Sequence, residues 1–242
     1  MVRVVRGSSV DEILSMLTRR PPPVDEDGIT TIWVTELTNC LYWSYLERVG
    51  AEPDKTRMIF IDYVRRLGKM LHASFQSVLQ GDTEREVVVS LGDGIVVRGR
   101  ADLVWRDTVF EFKTYTARRD LDQNLHHLAQ LAFYMKHLGA RKGMLVYMSR
   151  IKPEITVYEV DAREDSGLVE EANRILVERA LRYARWLRGE EQPEPEPGPW
   201  CNYCPFWRIC PLRRLSSTAS SPFDPLRSHV QPPLTNYIPS HT

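Results

Sequence analysis

Residues 87–114 constrain this chain more than any other stretch. Val87-Val88-Val89 and Ile95-Val96-Val97 are β-branched runs separated by Gly92-Asp93-Gly94, a hairpin turn signal. Two more strands are predicted directly afterwards, at 100–105 and 109–114. Such a meander needs helices to cover it, and the flanking sequence supplies them. Periodicity and terminator residues predict helices over 9–20, 34–50, 54–80, 118–138 and 163–188, with further strands at 144–149 and 155–160. On the 54–80 helix, Ile59, Tyr63, Leu67, Met70, Leu71, Phe75 and Val78 lie along one side. This order predicts an α/β or α+β layer arrangement around a central mixed sheet. A length of 242 residues suits one full domain with an appendage, or at most two small domains.

Three charged residues interrupt the apolar strands, in GRADLVWRDTVFEFKTY. Glu111 and Lys113 are two apart and share a strand face. If the hairpin loop is Arg106-Asp107, Asp102 pairs opposite Glu111; if it is Asp107-Thr108, Asp102 pairs opposite Lys113. Both registers gather the three on one face. Charge in an apolar strand is costly unless compensated or used. Two carboxylates can hold Mg²⁺ or Mn²⁺ and leave positions open for water and a phosphate oxygen, while a lysine orients that water or stabilises phosphoryl charge. Lysine is also scarce: of 32 basic residues only Lys55, Lys69, Lys113, Lys136, Lys142 and Lys152 are lysines. The plainer alternative is a salt-bridged strand pair at a sheet edge. Near this group, the 54–80 helix carries His72, and the 118–138 helix carries His127, Gln130 and Tyr134 at helical spacing on one face.

The four cysteines are Cys40, Cys201, Cys204 and Cys210. The last three form a compact thiolate arrangement ending in Cys-Pro, with Trp200, Tyr203, Phe206 and Trp207 around it. Four thiolates suit an iron–sulfur cluster or a tetrahedral zinc, and joining residue 40 to residue 201 would staple the chain ends. A stiff acidic linker, residues 190–199, delivers the chain to this cluster. The predicted organisation is 1–188 as the main domain with its N-terminal helical part, 189–215 as linker and cysteine segment, and 216–242 as a disordered Ser- and Pro-rich tail.

A formal net charge of zero argues against a globally basic nucleic-acid coat protein and leaves room for a local basic groove. No apolar run is long enough to span a membrane. Asp11 and Glu12 interrupt any signal-peptide core, so a cytoplasmic protein with reduced thiols is expected.

His72, Asp102 in GRAD, Glu111-Phe112-Lys113, Gln130-x3-Tyr134 and the split cysteine set occur in one order over about residues 35–215. In that order and spacing the chain resembles the RecB-like nucleases of the PD-(D/E)xK superfamily, and most closely its CRISPR-associated, Cas-four-type exonucleases. The resemblance implies a restriction-endonuclease-like central mixed sheet flanked by helices, with a C-terminal iron–sulfur cysteine cluster. It implies Asp102, Glu111 and His72 as ligands of Mn²⁺ or Mg²⁺, completed by a backbone carbonyl near Phe112. Lys113 would be the catalytic lysine. Gln130 and Tyr134 would support the lysine and contact the DNA strand, and Cys40, Cys201, Cys204 and Cys210 would hold a [4Fe–4S] cluster. No GxxxxGK[ST] motif occurs, so no ATP motor accompanies the site.

The implied activity is metal-dependent exonuclease cleavage of single-stranded DNA or overhangs, set in CRISPR spacer acquisition as prespacer processing. Integrase proteins and further copies of the chain are the partners to expect. The alternatives are an iron–sulfur repair exonuclease outside CRISPR, and a non-catalytic module that binds DNA ends or an integrase. Arg118 and Arg119 are the foremost DNA-binding candidates, followed by Arg65 and Arg66, with Tyr63 or Tyr115 for stacking. The Arg179, Arg182, Arg185 and Arg188 row reads as an exposed helix face.

Overall fold

The computed structural model describes residues 28–115, 124–212, 221–230 and 235–237. The predicted 9–20 helix and the candidates Arg118 and Arg119 lie outside the described residues. The elements are β1 (Thr30–Trp33), α1 (Val34–Leu37), α2 (Leu41–Arg48), α3 (Lys55–Gln76), β2 (Asp82–Gly92), β3 (Ile95–Trp105), β4 (Thr108–Tyr115), α4 (Leu125–Leu138), β5 (Lys142–Ser149), β6 (Ile155–Asp161), α5 (Ser166–Leu187) and β7 (Thr235–Tyr237). The expected central mixed sheet is present, with strand order β1-β3-β4-β5-β6-β7 and β2 on the other side of β3. β1 with β3 and β4 with β5 run parallel, and the other pairs are antiparallel.

The two strands expected at 95–97 and 100–105 are one continuous strand, because nothing between them breaks the extended backbone. β2 pairs along nearly all of β3. β1 and β4 therefore share the opposite edge of β3: β1 pairs with Ile95–Arg98 and β4 with Leu103–Trp105. Between them, at residues 99–102, that edge has no strand partner, and Asp102 stands in this gap.

The sheet has two unequal cores. α4 and α5 cover one face with most of the buried apolar side chains. Gly143 lets α4 come close, since a side chain there would strike Met135 and Leu131. On the other face Leu103, Phe112, Val146 and Met148 form a small cluster with Phe75 of α3. α3 is the element whose packing departs most from its sequence pattern. Met58 and Ile61 are its buried residues, whereas Ile59, Tyr63 and Met70 are exposed, as is Val78 just past its end. The helix turns its Gly68, His72 and Gln76 side toward β3 and β4, so that of its apolar side Phe75 reaches the sheet while Ile59, Tyr63 and Met70 face away.

Two further expectations are corrected. The 34–50 helix is broken into α1 and α2 at Cys40, which stands at the N-cap of α2 in extended backbone. The tail is not wholly disordered: Asp224–His229 forms a 3₁₀ helix, and Phe223 and Leu226 are fully buried. Phe223 packs against Trp200 and His126. Composition concealed this because two apolar anchors suffice to dock a Ser- and Pro-rich segment.

Candidate active site and thiol cavity

Trp105 pairs with Thr108 and Leu103 with Phe110, so the hairpin loop is Arg106-Asp107 and Asp102 comes opposite Glu111. Beyond Leu103 the two strands part. Phe112 donates its N–H to Asp102 Oδ2 at 2.7 Å. From α3, His72 Nδ1 lies 3.7 Å from the same oxygen, and Gln76 Nε2 donates to the Asp102 carbonyl at 2.8 Å. The face alternation of β3 also slips here: Ala101 belongs to the main core, while Leu103, two residues on, joins the small cluster on the other face. Opposite the slip, Glu84 of β2 has a φ of 55°, in the left-handed region, while the β2–β3 register runs on unchanged. That slip places Asp102 at the parting of the strands, within reach of both faces.

Glu111 is 2% exposed on β4. Lys113 Nζ donates to Glu111 Oε1 at 2.7 Å and to Gln130 Oε1 at 2.9 Å. Gln130 Nε2 in turn donates to the Tyr134 hydroxyl at 3.2 Å. Tyr134 fills the open edge of β3: a side chain at Gly99 would meet its ring and hydroxyl within 2.8 Å. The relay from Tyr134 through Gln130 to the Lys113 ammonium fixes where that charge sits. Gln130 and Tyr134 are 4% and 1% exposed, with Gln130 bonded to both Lys113 and Tyr134. His127 turns aside to the Tyr147 hydroxyl, 2.9 Å away.

Burial pushes the Glu111 carboxyl up to about 8; Lys113 opposes the rise, and Asp102 adds to it. Among the described residues, Glu111 Oε2 is sealed from solvent with no hydrogen-bond donor. A buried acceptor left so is costly unless a cation takes it. The donor set of Asp102, Glu111 and His72 fits a hard divalent cation. Among the described residues no three His, Cys, Asp or Glu side chains are drawn together to single-ion distances, so the carboxylates form an open set. Mn²⁺ at about 100 times its dissociation constant is expected to add about 3 kcal/mol of stability, or about 5–10 °C in melting temperature. Glu111→Gln should abolish that shift, and its metal-free melting temperature should equal or exceed the parent's. Thermal melts with and without Mn²⁺ test both.

The four cysteines meet at the other end of α3. Cys40, Cys201, Cys204 and Cys210 line one cavity of about 250 Å³, together with Trp43 and Trp200. Burial pushes the Cys40 thiol up to about 11, with Glu196 adding to the rise, and burial pushes Cys204 up to about 12. Thiolates there need a cationic group beside them. All four thiols face this one space, a donor set that suits a tetrahedral zinc or an iron–sulfur cluster.

Arg179, expected on an exposed face, is 4% exposed and holds this corner together. Its Nε donates to the Leu37 carbonyl at 2.7 Å and its Nη2 to the Asn39 carbonyl at 2.6 Å. Its two terminal nitrogens grip both Glu196 oxygens at 2.9 Å. Glu196 also accepts from Arg182 and from the Leu41 N–H, the latter at 3.2 Å. The sequence reading missed this clamp, because Glu196 lies in a segment that reads as a solvated linker.

A family model described as the PD-(D/E)XK nuclease superfamily matches residues 2–211. The CRISPR-associated exonuclease Cas4 of Saccharolobus solfataricus is 28% identical over 201 residues, covering 76% of this chain and 88% of that protein. Among solved structures, the crystal structure of SSO0001 superposes with a TM-score of 0.59 at 28% identity, covering 85% of this chain and 97% of that one.

Proposed function

The chain belongs to the PD-(D/E)XK nuclease superfamily, and from that premise we propose that it is a divalent-metal-dependent exonuclease acting on single-stranded DNA or overhangs in CRISPR prespacer processing. The observation that carries this reading is the Lys113 ammonium, held between Glu111 Oε1 and Gln130 Oε1 beside a carboxylate oxygen that has no partner among the described residues. The CRISPR setting rests on the similarity to a CRISPR-associated exonuclease over 76% of this chain.

Asp102, Glu111 and His72 would hold the metal, which when bound supplies a more acidic water and a polarised phosphoryl oxygen. Lys113 places a fixed positive charge where the attacked phosphate gathers negative charge. Gln130 and Tyr134 keep that ammonium from swinging away. Asp102 is itself oriented by the Phe112 N–H. Little has to reorganise when a substrate arrives.

End-labelled single strands, blunt duplexes and overhanging duplexes, incubated with and without Mn²⁺, test the activity. Stepwise shortening from one end, dependent on Mn²⁺ and confined to unpaired strands, is expected. Internal cuts, or no cutting at all, would remove the exonuclease assignment. An integrase encoded by a neighbouring gene would favour prespacer processing over repair.

In the thiol cavity we propose a [4Fe–4S] cluster. Protein purified without oxygen is expected to be brown, with iron and acid-labile sulfide in equal amounts. Cys201→Ser should lose most of the visible absorbance. Colourless parent protein carrying zinc would overturn the assignment.

A further inference from the structure

The C-terminal end of α3 carries His72, Phe75 and Gln76, spaced three and four apart from His72 and so on one face of the helix. All three meet the strands beside the gap at residues 99–102. His72 Nδ1 lies 3.7 Å from Asp102 Oδ2. Phe75 stacks on Phe112 with ring centroids 6.5 Å apart, and the Phe112 N–H donates to the same Asp102 oxygen. Gln76 uses its amide nitrogen twice: Nε2 donates to the Asp102 carbonyl at 2.8 Å and to Glu84 Oε1 at 3.0 Å. Both partners are acceptors, which sets the orientation of the amide.

The β2–β3 ladder pairs Thr83 with Leu103 and Arg85 with Ala101, and passes over Glu84 and Asp102 between them. Glu84 is the residue with the left-handed backbone. On its other edge Asp102 faces the gap left between β1 and β4. The sheet therefore holds the carboxylate-bearing residue of β3 loosely, and the Gln76 amide spans the interruption with one N–H to each strand. The contact of Phe75 is apolar, has no preferred direction and tolerates sliding. The two amide bonds are directional and fix how far along β3 the helix sits. One turn back on the same face, they fix how closely His72 approaches the Asp102 carboxylate.

We propose that Gln76 is a positioning residue for the divalent-cation site: by pinning the end of α3 to the Asp102 carbonyl and to Glu84, it holds His72 where it and Asp102 can bind one cation together. This deepens the metal-dependent reading above and rests on it. Gln76 acts through His72, because its amide nitrogen donates and offers a cation no lone pair. Groups that orient a metal's ligands from outside typically account for about 10- to 100-fold in metal affinity.

The test is titration of the full chain with Mn²⁺ in the absence of DNA, followed by the paramagnetic resonance signal of the free ion, which reads binding into the millimolar range and apart from cleavage. Gln76→Met keeps the length and helix propensity of the side chain and removes both donors. It is expected to weaken Mn²⁺ binding about 10-fold, the lower end of the range because Phe75 still packs. Gln76→Ala should give the same loss. Metal-free melting temperatures should stay within a few degrees of the parent's, since only two partly exposed hydrogen bonds are removed. The deciding comparison is a double-mutant cycle: in a His72→Ala background, Gln76→Met should weaken binding by less than about 2-fold, because the ligand it positions is gone. Parental affinity in Gln76→Met would overturn the proposal. So would a loss of equal size with and without His72, which marks a general loosening around Asp102. The metal-site reading fails on a different observation, a parent that binds no Mn²⁺ or a Glu111→Gln variant that binds it as the parent does, so the two failures are distinguishable.

Discussion

Lys113→Ala is expected to lower the single-turnover cleavage rate by about 10²–10³-fold, the usual cost of removing one fixed charge-stabilising donor. The structure allows this loss without unfolding. Lys113 contributes two hydrogen bonds, one to Glu111 Oε1 and one to Gln130 Oε1, and its side chain is partly exposed. Without the ammonium, burial continues to favour the protonated form of Glu111, so no charge is stranded in the core. Gln130 retains its bond to Tyr134. The melting temperature should therefore move by only a few degrees. Lys113→Arg should not rescue: a planar fork cannot occupy the two-acceptor pocket shaped for a point charge. Quench-flow or gel assays on end-labelled strands with Mn²⁺ read the rate, and thermal melts read the fold. A variant that folds and cuts at the parental rate would remove Lys113 from the chemistry.

That site was legible in the sequence for a simple reason. A β-strand has a period of two, so Glu111 and Lys113 could be set on one face without knowing the fold. Asp102 followed from the turn, with two registers open until the Arg106-Asp107 loop was seen. Gln130 and Tyr134 followed from helical spacing. What the pattern could not show is that β3 loses a strand partner at 99–102, or that Tyr134 fills the space Gly99 leaves. Those depend on where β1 and β4 end against the same edge. On α3 periodicity misled for a related reason: it shows that one side is apolar, and not whether that side meets the sheet. Glu196 carries no local signal at all, since it acquires its meaning from residues far away in sequence.

Arg179 is the clearest case of such long-range meaning, and its replacement should have the largest effect on stability. Arg179→Ala would leave Glu196 largely buried with two oxygens short of donors, and would leave the carbonyls of Leu37 and Asn39 without theirs. Breaking a buried pair by removing one partner typically costs about 3–5 kcal/mol, which for a domain of this size is about 6–20 °C in melting temperature. Arg182 also reaches Glu196, so the lower part of that range is expected. The two carbonyls flank the turn into Cys40, so the variant should also retain less iron. Arg179→Lys should recover little, because one ammonium cannot span two carbonyls and both oxygens of a carboxylate. Adding Glu196→Gln to Arg179→Ala should return part of the lost stability, since the stranded charge is then gone. Denaturant melts of the two single variants and the double variant, with iron measured on each, decide the matter. If Arg179→Ala melts within 2 °C of the parent, the clamp is not what holds Cys40 to the 196–210 segment, and the aromatic packing around Trp200 and Phe223 must carry that task instead.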